Sequence, residues 1–274
     1  MGKKKRPTPT PLAGATGLID AHTHLTSCPD EPAAVVERAR AAGVEAMVTV
    51  GDGLAEAEAA LAVAQQLDRV WAACAIHPTR ARELDDAARA RLRELAADPL
   101  CVSIGETGLD TYWIGKEEWC APLEAQEEAL RFHIDLAVSS GKALMIHNRE
   151  ADAELLRVLD SSPQPKTVIL HCFSSPLEVA REAIERGYVL SFAGNVTFKR
   201  NEELRQAAAL APMEQILYET DAPYMTPEPF RGARNEPAFI GHTAQCIATA
   251  RGMALEEFSA AVAANFRRVY QLAD

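Results

Sequence analysis

Short apolar runs alternate with longer segments of helical period along most of the chain. The apolar runs are four to eight residues long, and many are rich in Val, Ile and Leu. Ala, Leu, Glu and Arg dominate the segments between them, with apolar positions three or four residues apart, which is typical of amphipathic helices. This alternation predicts repeated βα units. Eight runs qualify as strands: 17–21, 45–50, 69–76, 100–105, 143–146, 167–170, 188–192 and 215–219.

The spacing of these runs indicates how the sheet is organised. Successive strand ends lie 24 to 41 residues apart, close to the roughly 30 residues or more of a βαβ unit. Eight units at this spacing favour the α/β class and a single (β/α)8 TIM-type barrel over an open sheet. We therefore expect one barrel domain over residues 18–274, preceded by a flexible, basic and proline-rich tail over residues 1–17.

Composition narrows the class of protein. Charged residues make up 24% and hydrophobic residues 48% of the 274 residues, which is typical of a globular protein. No apolar run approaches the roughly 20 residues that span a bilayer, so we expect no membrane association. The basic start of the tail lacks the apolar stretch of a secretory signal, and the six cysteines form no C-x-x-C pair. These features favour a cytoplasmic location, and no obligate protein partner is evident.

The net charge limits the possible partners. It is −11 for the whole chain, and without the four cations of the tail 24 basic and 39 acidic residues remain, a net charge of −15. Broad wrapping of duplex nucleic acid requires clustered Lys and Arg, so this class is disfavoured. The net charge is still compatible with a nuclease that binds the end of one strand through metal ions.

Imidazoles and carboxylates follow most of the predicted strands. His22 and His24 are one residue apart at the end of the first strand, where they would face the same side. The carboxyl ends of barrel strands meet at one rim, so side chains there converge. Histidines and carboxylates are the ligands of catalytic divalent ions, and Glu106 and Asp221 would supply anionic ligands against the roughly four positive charges of a dinuclear site. We expect a metal site there, with ligands drawn from the strand-end histidines His22, His24, His77, His147 and His171 and from the carboxylates Glu106 and Asp221.

Several motifs together resemble a known family, the TatD family of metal-dependent deoxyribonucleases in the amidohydrolase superfamily. The resemblance extends from about residue 18 to the C-terminus, and the motifs occur in the order of that family. Leu25-Thr26-Ser27 depart from the Asp or Asn that the family often has there. The motifs are His22-Thr23-His24, Ile104 to Asp110, Ile146 to Arg149, His171 to Ser174, Glu219 to Tyr224 and Arg231 to Pro237.

The resemblance implies two divalent ions, Mg, Mn or Zn. His22, His24 and Asp221 would bind one ion, His147 and His171 would bind the other, and Glu106 would bridge them. Asp221 and Glu106 would be the catalytic residues, with Asp221 also accepting the proton of a water activated by the two ions. His77 and Arg149 would contact the substrate phosphates.

Aromatic residues near the same rim have two interpretations. Tyr112, Phe173 and Tyr224 could stack a terminal base, but aromatic residues at a barrel mouth also simply pack. The loop that carries Tyr112 and Trp113 is equally a candidate substrate wall or a packed cap.

The leading functional hypothesis is a 3′–5′ exodeoxyribonuclease that cleaves phosphodiester bonds of single-stranded DNA, or RNA, at its ends. The alternative uses the same metal site as an esterase, lactonase or amidase, or as a D-aminoacyl-tRNA deacylase, because activated water also attacks carbonyl carbon. A third hypothesis is a binding protein without catalysis. The intact set of six candidate ligands favours an enzyme.

Overall fold

The computed structural model describes residues 8–272, and its centre is a ring of parallel strands. Each strand pairs with the next one along the chain. The strands are β1 (Leu18–Thr23), β2 (Val44–Val50), β3 (Val70–Ala73), β4 (Cys101–Asp110), β5 (Ala143–Arg149), β6 (Val168–Leu170), β7 (Val189–Phe192) and β8 (Ile216–Tyr218).

Helices follow the strands and pack around the ring, with short 3₁₀ turns in several of the connections. The α-helices are α1 (Pro32–Ala41), α2 (Leu54–Gln66), α3 (Asp86–Ala97), α4 (Leu123–Ser140), α5 (Asp152–Asp160), α6 (Leu177–Glu185), α7 (Glu202–Leu210), α8 (Ile240–Ala250) and α9 (Leu255–Val269). The 3₁₀ turns are Leu25–Ser27, Pro78–Glu83, Gly194–Thr197, Met213–Gln215 and Pro237–Phe239.

The first and last strands meet through hydrogen bonds just at the end of β8. The Asp20 carboxylate accepts from the backbone N–H of Thr220 at 2.8 Å and from its hydroxyl at 2.5 Å. The backbone N–H of Asp221 donates to the carbonyl of His22 at 2.9 Å. These bonds bring both ends of the sheet together, and the predicted (β/α)8 barrel is confirmed.

β4 is longer than its predicted run, which ended at residue 105. It continues to Asp110 because its last residues pair with β5, Gly108 opposite His147 and Asp110 opposite Arg149. A Cβ on Gly108 would lie 1.9 Å from the His147 carbonyl oxygen. This glycine therefore permits a close approach of two strands, and it marks no turn.

Helix α4 fixes the ends of β3 and β4 through two buried polar side chains. The Gln126 amide accepts from the backbone N–H of Asp110 at 2.8 Å and donates to its carbonyl at 3.1 Å. His133 accepts from the backbone N–H of Ile76 at 3.3 Å, and its other ring nitrogen lies 2.9 Å from the Thr107 hydroxyl. The rim is thus positioned from outside the barrel.

The predicted tail is partly described. Residues 1–7 lie outside the described residues, while residues 8–17 form no helix or strand. The Thr10 carbonyl accepts from His242 at 2.8 Å, and Ala15 is buried in the core. The chain therefore contacts the barrel before residue 18, where the sequence placed the start of the domain. None of the helices described is long and apolar enough to cross a membrane.

Candidate metal centre

Three side chains at the ends of β1 and β8 form the first cluster together with the Oε2 atom of Glu106 from β4. The three are His22, His24 and Asp221. The two histidine Nε2 atoms are 3.0 Å apart. Each lies 3.5 to 3.7 Å from Asp221 Oδ1 and from Glu106 Oε2. Four ligands at the usual zinc bond lengths in a tetrahedron would be about 3.3 Å apart, so these spacings suit a single ion.

The tautomers of this cluster favour a cation. His24 Nδ1 lies 3.2 Å from the Val50 carbonyl, which can only accept, so Nδ1 carries the proton. His22 Nδ1 lies 3.1 Å from the Met145 sulfur, a weak acceptor. With both imidazoles neutral, the two Nε2 atoms present lone pairs to each other, and two lone pairs at 3.0 Å repel unless a proton or a metal ion lies beside them. The donor set therefore fits a metal ion.

The second cluster surrounds the other oxygen of the same carboxylate. Glu106 Oε1 lies 2.7 Å from His147 Nδ1, 2.8 Å from His171 Nε2 and 3.5 Å from His77 Nε2. Glu106 is itself buried. One carboxylate therefore faces a different group of imidazoles with each oxygen, which is the geometry of a bridging ligand.

Three further carboxylates lie beside the ring nitrogens that point away from Glu106. Asp110 Oδ2 lies 3.1 Å from His147 Nε2, Glu219 Oε1 lies 3.0 Å from His171 Nδ1, and Asp52 Oδ1 lies 3.2 Å from His24 Nδ1. Such partners orient metal-binding histidines and make them more basic. Sequence reasoning missed them as functional residues. Each lies at or just beyond a strand end, which was the available signal.

The pKa shifts show that carboxylates and imidazoles at the rim stabilise each other's charged forms. Burial alone would raise the pKa of Glu106, but the neighbouring His171 and His77 hold it well below its usual value. Burial would lower the pKa of His171, yet Glu106 and Glu219 raise it well above its usual value. For His24, Asp52 and Asp221 outweigh burial and raise the pKa to about 9. The carboxylates beside His24 and His171 therefore favour positive charge at these two imidazoles, as protons or as cations.

His77 lies among these groups but differs in protonation. Its Nδ1 accepts from the backbone N–H of Thr79 at 3.2 Å, so the ring proton is on Nε2, the atom that faces Glu106. Burial and the nearby His147 lower the pKa of His77 to about 3. His77 is therefore a neutral hydrogen-bond donor aimed at the centre.

Arg149 lies at the rim end of β5 and is exposed. Its guanidinium lies over the rings of Tyr112 at 3.8 Å and Trp113 at 5.4 Å, and it forms no ion pair with any residue from 8 to 272. It lines the same cavity of about 1170 Å³ as both clusters. The structure thus places Arg149 at the cavity wall, apart from the clusters.

The three aromatic residues considered for base stacking differ in access. Phe173 is 3% exposed and packs on Phe192, with ring centroids 5.9 Å apart, so the stacking hypothesis for Phe173 is wrong. Lys116 and Arg149 cover the Tyr112 ring. Tyr224 is 53% exposed and lines the cavity, with its ring 6.0 Å from that of His24.

A parallel barrel with a histidine and carboxylate cluster at the carboxyl ends of its strands defines a metal-dependent hydrolase of the TIM-barrel type. The family model described as TatD related DNase matches residues 19–271. The chain belongs to this family, as the motifs predicted.

Relatives of known sequence or structure agree with this family. A Mycobacterium tuberculosis protein named uncharacterized metal-dependent hydrolase TatD is 49% identical over 93% of this chain and 98% of its own. An Erwinia tasmaniensis protein named 3′-5′ ssDNA/RNA exonuclease TatD is 34% identical over 87% of this chain and 93% of its own. The crystal structure of YjjV, a TatD homolog from Escherichia coli, has a TM-score of 0.87 at 25% identity and covers 94% of this chain and 99% of its own.

Proposed function

We propose that this hydrolase is a two-metal 3′–5′ exonuclease for single-stranded DNA or RNA. The observation that carries the proposal is Glu106, whose two oxygens each face a separate group of imidazoles. Relatives named as ssDNA/RNA exonucleases support the substrate class. The six free cysteines support a reducing, cytoplasmic location.

The residues would divide between two ions as follows. His22, His24 and Asp221 would hold one, His147 and His171 would hold the other, and Glu106 would join both. Divalent ions at these positions would supply Lewis-acid polarisation of a phosphoryl oxygen and would lower the pKa of a bound water. Mg, Mn and Zn are the candidates, because the donor set mixes imidazoles with carboxylates.

Asp221 is the proposed proton acceptor. Asp221 lies just beyond β8, lines the cavity and is 7% exposed. A carboxylate in this position can take the proton of an attacking water at an Oδ atom. Asp221 would then combine the roles of ligand and base.

His77 and Arg149 are proposed to bind substrate phosphates. The neutral Nε2–H of His77 can donate to a phosphate oxygen without adding charge. Arg149 has no carboxylate partner among the described residues, so its guanidinium can form a bidentate contact with a phosphate. The two residues would therefore hold the scissile phosphate and an adjacent one.

Cleavage of a 5′-fluorescent single-stranded oligonucleotide with Mg²⁺ or Mn²⁺ tests the proposal. We expect a ladder that shortens from the 3′ end, and EDTA should stop the shortening. A phosphorothioate at the last linkage should block it, whereas the same modification at the 5′ end should not.

Two outcomes would overturn the proposal. Cleavage that persists in Glu106→Gln would mean that the nuclease site is elsewhere. Intact oligonucleotides alongside hydrolysis of a carboxylic ester or a D-aminoacyl-tRNA would assign the centre to carbonyl chemistry instead.

A further inference from the structure

Two tryptophans of the β4–α4 connection face the same cavity as the metal centre. Trp113 and Trp119 both line it, with ring centroids 5.8 Å apart and a tilt of 48°. Trp119 is 54% exposed, which is unusual for so large an apolar side chain. We call these two residues the aromatic wall.

Hydrogen bonds connect the aromatic wall to the metal centre. The backbone N–H of Trp113 donates to Asp110 Oδ1 at 3.3 Å, while the other oxygen of the same carboxylate lies 3.1 Å from His147. Helix α4 holds the backbone of Asp110 through Gln126. The backbone of Trp113 is therefore held at a fixed position relative to the second cluster.

The faces of the wall differ in what they can bind. The Trp113 ring is in edge contact with Tyr112, at 4.7 Å, and Arg149 lies 5.4 Å from it. The indole N–H of Trp119 donates to Glu117 at 3.2 Å, which orients the ring and leaves more than half of the side chain open. Trp119 thus offers an exposed aromatic face next to Trp113, which lies beside a guanidinium without an ion-pair partner among the described residues. This combination matches an unpaired base and its phosphate.

We propose that the aromatic wall, together with Arg149, is a subsite that stacks an unpaired nucleobase near the scissile phosphate. Bases in a duplex have both faces covered by stacking, so the subsite would select single strands and frayed ends. Stacking tolerates any base, because every base has a π-face. The inference rests on the proposed nuclease function and identifies how it would choose its substrate.

Binding of two blocked oligonucleotides tests the subsite. The probes are a fluorescent octathymidylate with a phosphorothioate at the last linkage, and the same probe with abasic residues at the two positions next to the 3′ end. Fluorescence anisotropy with Mg²⁺ should show that the wild type binds the abasic probe about tenfold more weakly or worse. The Trp119→Ala variant should bind both probes with equal affinity. The Trp119→Phe variant should restore the preference for the probe without abasic residues.

Leu210→Ala is the matched control, because Leu210 is a 42% exposed apolar residue on α7 that does not line the cavity. This variant should keep the preference of the wild type. If Trp119→Ala also keeps it while unblocked oligonucleotides are shortened, the subsite is wrong and the nuclease proposal stands. If the wild type neither binds nor cleaves any oligonucleotide, the proposed function itself fails.

Discussion

His171 and His133 are both buried, but the two regions that contain them shift the pKa of the imidazole in opposite directions. His171 lies at the rim between Glu106 and Glu219, which raise its pKa well above the usual value against the effect of burial. His133 lies between α4 and the barrel, where it meets a hydroxyl and a backbone N–H, and burial lowers its pKa to about 3.

The difference shows that carboxylates, and not burial, decide what these histidines do. At the back of the barrel a neutral imidazole accepts from the backbone just after β3 and positions β4. At the rim the same side chain is arranged to face a proton or a cation. Substitutions that remove one environment or the other therefore test the assignment of the site.

The largest effect is expected for Glu106→Gln, which removes the one carboxylate that both clusters share. Its loss removes an anionic ligand from both clusters, so nuclease activity should fall about a hundred- to a thousandfold, as for the loss of one preorganised electrostatic group in a catalytic site. Elemental analysis should show that metal is lost from both clusters. Glu178→Gln, a substitution of an exposed residue on α6, should lower neither the nuclease activity nor the metal content. Full metal content in Glu106→Gln would contradict the bridging role.

Acid should destabilise the back of the barrel through His133. Its pKa is about 3 in the folded chain and about 6.5 when unfolded, so the unfolded chain binds the extra proton between these values. The contribution is present above pH 6.5 and is lost as the pH falls towards 3, about 5 kcal/mol in all.

Urea unfolding at several pH values measures this contribution. His133→Gln retains a donor and an acceptor but does not titrate, so its stability should fall less steeply over the same range. Parallel curves for the two proteins would show that His133 is not the titrating group.

Glu219→Gln should weaken the second cluster without destroying it. The amide can still accept from His171 Nδ1 but carries no charge, so metal affinity there should drop about 10- to 100-fold. Calorimetric titration with Mn²⁺ checks this, and Asp110→Asn should behave similarly through His147. An equal loss at the first cluster would mean that the two clusters are not separable.

The smallest effect is expected for Asp52→Asn in the first cluster. The Asp52 side chain is 34% exposed, and the Val50 carbonyl also accepts from His24 Nδ1. Metal affinity should therefore fall less than tenfold, below the range for a buried partner. The same titration measures it, and a larger loss would show that Asp52 itself contributes to ion binding.

The barrel was predictable because eight buried parallel strands must be apolar and regularly spaced, whatever their loops do. The length of β4 was not predictable, since Gly-Glu-Thr-Gly resembles a turn until β5 lies beside it. The convergence of His22 with Asp221 followed from strand ends alone. The roles of Asp110 and Glu219 did not, because only the orientation of each imidazole shows which carboxylate holds its far nitrogen.

The contact of Asp20 with Thr220 joins residues 200 positions apart. The first cluster therefore cannot exist while the chain is still emerging from the ribosome. At about 5–20 residues per second, synthesis separates His22 from Asp221 by roughly 10 to 40 s. A newly made chain thus carries exposed histidines but no complete first cluster until its last strand arrives, so metal capture at that cluster would report that the barrel has closed.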